Sequence, residues 1–339
     1  MASKYIALAE QTANWTTAGT SNIFFKLLTE SINTTREDFY PETTQTWVPG
    51  KRAEGFFRTA GSFDTLVDPC QWTKLLCFFT GDPSISVGPP YTFTFKFGAN
   101  EIYDVGSTGV KPFTTYIGVG IARDREIVGC VMDSLSLECV NKEVVTSTVG
   151  ILGSGLESLH ASAHDPVYTA YTQPYLTFQG ATTFDVGVSN RLTTAPAIEA
   201  FRMTMNRGWD ADHYLLGSRF LGGNVGPMQS GMCSVEGTMD FSFTSEQEHE
   251  RFLGAIGTYT AGDQAPFKIK AILAGAAGYS IQIDIPVVHY RASTVSVSGR
   301  DRIVQSCDWV GMYSGGTDLA AAIFTVNNNF NTTGYSTLA

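Results

Sequence analysis

A chain of 339 residues is long for one average domain of about 100 to 200 residues and has room for two cores. Only 16% of it is charged, against about 25% in an average globular chain, while aromatics reach 12%; such a chain folds, and a surface so poor in charge points to self-association. Lys and Arg total 22 against 32 Asp and Glu, and the net charge of -10 is opposite in sign to the basic footprint of a tight nucleic-acid binder.

The opening residues, MASKYIALAEQTANWTTAG, lack the apolar block of a signal peptide, and no run of about 18 apolar residues follows. The expectation is a chain made and kept in the cytosol, with no membrane partner. From Phe25-Lys-Leu onward the sequence repeats itself at an offset of 176: Phe25 matches Phe201, Gly61 matches Gly237, Asp64 matches Asp240 and Gly81 matches Gly257. Each copy reads as strand, long connection, strand, helix and then at least four strands. The connections span about Arg36 to Ala60 and Asp212 to Glu236, longer than the roughly 12 to 15 residues usual for a structureless loop. They carry Phe39, Tyr40, Trp47, Phe56 and Phe57 in one copy and Tyr214, Leu215, Leu216, Phe220 and Leu221 in the other. Large apolar groups on an exposed loop must dock on something, either a partner or the loop's own sheet.

The first helix is predicted from Asp68 as cap and Pro69 in the first turn, through Trp72, Leu75, Leu76 and Phe79 on one narrow face, to Gly81. The second runs from a capping box of Ser245 and Glu248 through His249, Phe252, Leu253 and Ile256 to Gly257. Period-two strands follow at Tyr91 to Phe97 and Phe267 to Leu273, then Thr114 to Ile121 and Tyr279 to Ile285. After a shorter connection Ser134 to Leu137 faces Thr294 to Val297, and Val144 to Val149 faces Val304 to Trp309, at an offset of 160. Residues 153–172 are small and polar and read as a linker, so the organisation is a first unit at 1–152 and a second at 173–339, opening with the alternation of Tyr175 to Val188. Ile323 to Val326 is a last strand before a frayed tail. The fold class is mainly β with few helices: two tandem β-sandwich or partial-barrel units, each flanked by one α-helix.

No catalytic constellation stands out. The six cysteines form no CxxC pair and read as buried free thiols. His160 and His164 have i, i+4 spacing but sit in the linker without the glutamate of HExxH. Pro49-Gly50-Lys51-Arg52 lacks the rest of a phosphate loop, and Asp124 with Glu126, like Asp210 with Asp212, reads as solvated loop charge. No catalytic residue, cofactor or metal is therefore assigned. Sheet edges must be covered or paired, and edge strands of the two units can pair between neighbouring chains and close a ring.

Phe25-Lys-Leu-Leu-Thr-Glu-Ser-Ile32, the loop ending Gly50-Lys51-Arg52, the strand into an Asp-Pro-capped helix at Asp68, and Ser134-Leu-Ser-Leu137 together resemble the tail tube (major tail) proteins of long-tailed bacteriophages. The resemblance spans nearly the whole chain, with one tube unit per half, and extends in fold to the tubes of contractile tails and type VI secretion systems. It implies a non-enzymatic virion protein whose rings stack into a conduit for DNA leaving the capsid, with tail terminator, tape measure and baseplate proteins as further partners. It also implies that the two long loops contact the adjoining ring, with Trp47, Lys51, Arg52, Phe56, Phe57, Tyr214, Leu216, Arg219 and Phe220 as candidate contacts. Single-unit members form hexameric rings, so a doubled chain implies three copies per ring, with six copies as the alternative. Three chains carry about -30 per ring, a charge over which DNA slides without binding specifically. The alternative readings are another viral assembly protein, from capsid or baseplate, and a soluble carbohydrate-binding or hydrolytic β-sandwich; the two helices exclude an outer-membrane barrel.

Overall fold

The computed structural model describes residues 4–11, 15, 18–19, 22–40, 52–86, 88–98, 110–120, 123–164, 166, 176–177, 181–188, 191–193, 197–223, 225–243, 247–253, 266–296, 303–315 and 319–329. The first half contains β1 (Tyr5–Glu10), β2 (Asn22–Phe25), β3 (Leu27–Glu30), β4 (Asn33–Phe39), β5 (Ala53–Leu66), α1 (Pro69–Thr80), β6 (Ser84–Ile85), β7 (Tyr91–Phe97), β8 (Phe113–Gly118), β9 (Arg125–Val140) and β10 (Thr146–Leu159). The second contains β11 (Ala181–Val188), β12 (Arg191–Thr193), β13 (Ile198–Asn206), β14 (Ser234–Ser242), α2 (Gln247–Leu253), β15 (Phe267–Ala274), β16 (Ser280–Ser296), β17 (Val304–Gly311) and β18 (Ala322–Asn328). The protein is mainly β, with a large antiparallel sheet that is not closed into a barrel.

One path through the hydrogen-bonded ladders runs β3–β5–β10–β9–β13–β14–β17–β16. The strand order of its first half recurs in its second. Asp64 on β5 accepts from Thr148 Oγ1 on β10 at 2.6 Å, and Asp240 on β14 accepts from Ser306 Oγ on β17 at 2.7 Å. A bulge passes over Asp133 where β9 meets Gly150 and Ile151, and another passes over Arg291 where β16 meets Asp308 and Trp309. These registers match Thr148 with Ser306, two residues short of the Asp308 that the sequence offset of 160 selects. The first strand also departs from its sequence offset. Phe25 pairs with Ile6 of β1, while Thr29, not Phe25, lies beside Asp64 as Ala200 lies beside Asp240.

Other boundaries differ for physical reasons. β1 is buried along almost its whole length between β2 and β8, so it shows no polar alternation and its apolar run is silent in a period-two reading. The connection at Arg36 to Ala60 is largely a hairpin of β4 and β5, paired from Asn33↔Ala60 to Phe39↔Ala53. β10 continues through Leu159, because Leu156 to Leu159 pair with β9, so the expected linker at 153–172 begins as strand. Tyr279 to Ile285 and Thr294 to Val297, expected as separate strands, belong largely to the single long β16. For α2, Ser245, Ile256 and Gly257 lie outside the described residues.

Helix α1 has the expected ends. Asp68 accepts from the amides of Cys70 and Gln71 at 2.8 and 2.9 Å, Pro69 occupies the first turn, and the Gly81 amide bonds to the Cys77 carbonyl. It does not have the expected narrow apolar stripe, because all its residues except Cys77 are buried. Trp72 meets Phe324 of β18 edge to face at 5.4 Å, Asn328 donates to Thr73 Oγ1, and Arg207 donates through Nε and Nη2 to the Phe79 carbonyl in the last turn. A helix of the first half is thus closed over by the second. Core residues from both halves, among them Phe25, Trp72, Leu137, Phe201, Met203 and Trp309, form one continuous cluster, where the length alone left room for two.

Candidate assembly surface

The arm built by β4 and β5 and the connection between β13 and β14 dock on one another. Phe57 stacks on Phe220 with ring centroids 5.6 Å apart, and the two residues form a parallel bridge in which the Phe57 amide donates to the Arg219 carbonyl at 2.7 Å. The guanidinium carbons of Arg36 and Arg219 lie 5.3 and 5.2 Å from the Phe57 ring centroid. Phe56 packs on Tyr214 at 4.5 Å and on Phe39 at 6.2 Å. Arg219 also pairs with Glu54 at 2.5 Å and donates to the Gly55 carbonyl, while Arg58 faces Asp212 at 3.5 Å.

The second arm is seated on the first half of the chain. Trp209 Nε1 donates to the Met132 carbonyl, the Leu221 amide donates to the Ser154 carbonyl, and Trp15 Nε1 donates to the Leu221 carbonyl. Trp15, Val110, Val131, Leu152, Trp209 and Leu221 close into a second buried cluster with Tyr214 at its margin. Gly155 makes the approach possible: its φ is +86°, and a Cβ there would sit 2.6 Å from the Phe57 carbonyl carbon.

Of the candidate contacts, the structure brings Phe56, Phe57, Tyr214, Arg219 and Phe220 together inside one chain, all of them partly buried. Arg52 is exposed and pairs with Asp38 at 3.4 Å. Leu216 is fully exposed at the arm's turn. Trp47 and Lys51 lie outside the described residues. Sequence reasoning passed over Val225, Met228 and Met232 as contacts, and named Phe39 and Tyr40 only as aromatics of the loop; all five are exposed on the same two arms. Their signal was large apolar side chains interleaved with Gly and Pro. An exposed apolar group of this size is a mark of an interaction surface.

Chemistry elsewhere is muted. Burial pushes the thiols of Cys70 and Cys130 up to about 12 and those of Cys139 and Cys307 up to about 11, which suppresses thiolate at neutral pH. Among the described residues no group of three or more His, Cys, Asp and Glu is placed to hold a metal ion. His160 and His164 stack on each other at 4.5 Å, and Asp124 is not the solvated loop charge expected. It is buried and accepts from Tyr5 Oη at 2.5 Å and from the His164 amide at 2.8 Å, because β1 and the end of β10 converge over it. Burial raises its carboxyl, and these hydrogen bonds more than offset that, leaving it below the ordinary carboxylate value.

The sequence model of the family described as phage tail tube protein matches residues 2–311. The chain belongs to the phage tail tube protein family. No curated protein matches the sequence. As a tail tube protein it is a structural component of the virion that self-assembles into tubes and associates with other tail components. Among the described residues of this tube protein, no helix is long and apolar enough to cross a membrane.

Proposed function

We propose that the chain forms rings of three copies that stack into the tail tube, with a lumen through which DNA leaves the capsid, and that it has no catalytic role. The observation that carries this reading is the pair of docked arms, joined by Phe57 and Phe220 where Gly155 permits the close approach, yet presenting Leu216, Met228, Met232, Phe39 and Tyr40 to solvent. Docking removes the ordering cost of a long loop before assembly, and the exposed apolar tips meet the adjoining ring. Two tandem tube units are supported by the recurring strand order and by the matched Asp64–Thr148 and Asp240–Ser306 bonds, with the first unit ending at β10 and the second opening at β11. Three doubled chains supply six units. The net charge of -10 per chain leaves DNA without counterion-release affinity, so it slides through the lumen. Tail terminator, tape measure and baseplate proteins are the partners at the tube's ends and interior.

Negative-stain microscopy of concentrated protein tests this directly. Stacked annuli of one diameter with a central hole are the expected result; a monodisperse single chain at every concentration would end the reading. The arms are tested by replacing residues 41–51 with a short Gly-Ser linker, which the Phe39↔Ala53 pairing allows to close. Rings that remain folded but no longer stack are expected, and unchanged tube yield would remove residues 41–51 from the interface.

A further inference from the structure

The ladder β3–β5–β10–β9–β13–β14–β17–β16 joins its two halves through one seam, in which β9 and β13 pair antiparallel from Ala200↔Val140 to Asn206↔Ser134. In the second half β16 stands to β17 as β9 stands to β10, and in the first half β3 with β4 stands to β5 as β13 stands to β14. Among the described residues, β3 and β4 pair with β5 only, and Ala292 to Ser296 of β16 pair with β17 only. Among the described residues, the ladder therefore ends with the two sides of a junction that the chain has already made once internally.

Burial bears the same mark. The matched bulges at Asp133 and Arg291 set Leu137 equivalent to Val295. Leu137, beneath the internal seam, is 1% exposed; Val295, at the open edge, is 38% exposed. On the opposite side, Thr29 and Ala200 hold equivalent places beside Asp64 and Asp240, so Asn33 is equivalent to Thr204, which faces Ser136 across the seam.

We propose that the open edge of β16 pairs antiparallel with the β3–β4 edge of a second copy of this chain, with Asn33 opposite Thr294 and Thr35 opposite Ala292. The inference rests on the tube reading and names the junction that reading needs. Ile32, between β3 and β4, already bonds through its amide to Glu30 and through its carbonyl to Arg125, so Asn33 to Thr35 carry the pairing. An unpaired edge is a template for another strand, and a head-to-tail contact that repeats the internal seam's rotation closes a ring in which internal and external seams alternate.

The test is the full-length double variant Asn33→Cys with Thr294→Cys, assembled, oxidised and run without reductant beside each single variant. Dimers and a closed trimer from the double variant, with single variants staying monomeric, are expected. Thr294→Pro, which places a proline in the proposed junction strand, is expected to lose rings at least tenfold in yield, with circular dichroism checking that the fold is kept. Wild-type tubes in stain, with the double-cysteine chain monomeric on the gel or cross-linked no more than the single variants, would overturn this seam and leave the tube reading standing. Failure of the wild-type chain to assemble at all would overturn both. Should the proline variant misfold, the cysteine pair decides alone.

Discussion

Phe57 and Phe220, from opposite halves of the chain, stack at 5.6 Å, and the hydrogen bond from the Phe57 amide to the Arg219 carbonyl helps hold the two arms together. Phe220→Ala is expected to cost about 2 kcal/mol, less than a fully buried aromatic because the ring is only partly buried. The loss is expected locally. Hydrogen exchange at the Phe57 and Leu221 amides should rise, while the core amides of β9 keep their protection; uniform loss of protection would mean that the arms are not a separate unit.

Gly155 and Gly217 share the same backbone demand and differ in surroundings. Their φ values are +86° and +87°, but a Cβ at Gly155 meets Phe57 whereas one at Gly217 meets nothing within 4 Å. Gly217→Ala should cost about 1 kcal/mol, for the left-handed conformation alone. Gly155→Ala should cost at least about 1 kcal/mol more, because backbone must move. Urea midpoints of the two variants compare them directly, and equal values would remove the close approach as the reason for the glycine.

Arg207 ties the second half to the end of α1, its guanidinium 5.3 and 5.4 Å from the rings of Phe79 and Phe97. A cation at a helix C-terminus is favoured, and its hydrogen bonds to the Phe79 carbonyl are charge-assisted. Arg207→Met keeps the length and is expected to cost about 2 kcal/mol in chemical denaturation. Arg207→Lys should recover only part, since an ammonium lacks the planar fork.

Asp124 gives a dependence on pH. Its folded-state carboxyl lies below the ordinary value of about 3.9, so the unfolded chain binds its proton first as pH falls. The stabilisation is complete well above about pH 4, declines as pH drops below that value, and is gone once pH passes the lower folded-state value. Asp124→Asn should flatten this acid limb relative to wild type when unfolding midpoints are measured across it. An acid limb of unchanged steepness would assign the dependence to other carboxylates.

Local signals carried far. The cap at Asp68, the proline after it and Gly81 act within a few residues of one another, so the ends of α1 follow from their own neighbourhood. The alternation of Tyr91 to Phe97 and of Phe267 to Leu273 survives because each of these strands has one face less buried than the other. β1 gave no such signal, because both its faces are covered. Asp124 looked like loop charge because the tyrosine that pairs with it is Tyr5, at the other end of the unit.

The sequence by itself determined the β-rich class, the capped first helix, the repeated strand pattern and the resemblance to tail tube proteins, since propensity, capping and alternation are short-range and written in consecutive residues. Only the tertiary structure decided that Phe57 meets Phe220, that Arg207 and β18 close over α1, and that among the described residues β4 at Asn33 and β16 at Thr294 each pair on one side only. Those relations join residues far apart in the chain, and their geometry is set by strand register and by the packing of the whole sheet, where a shift of one residue turns every side chain to the other face.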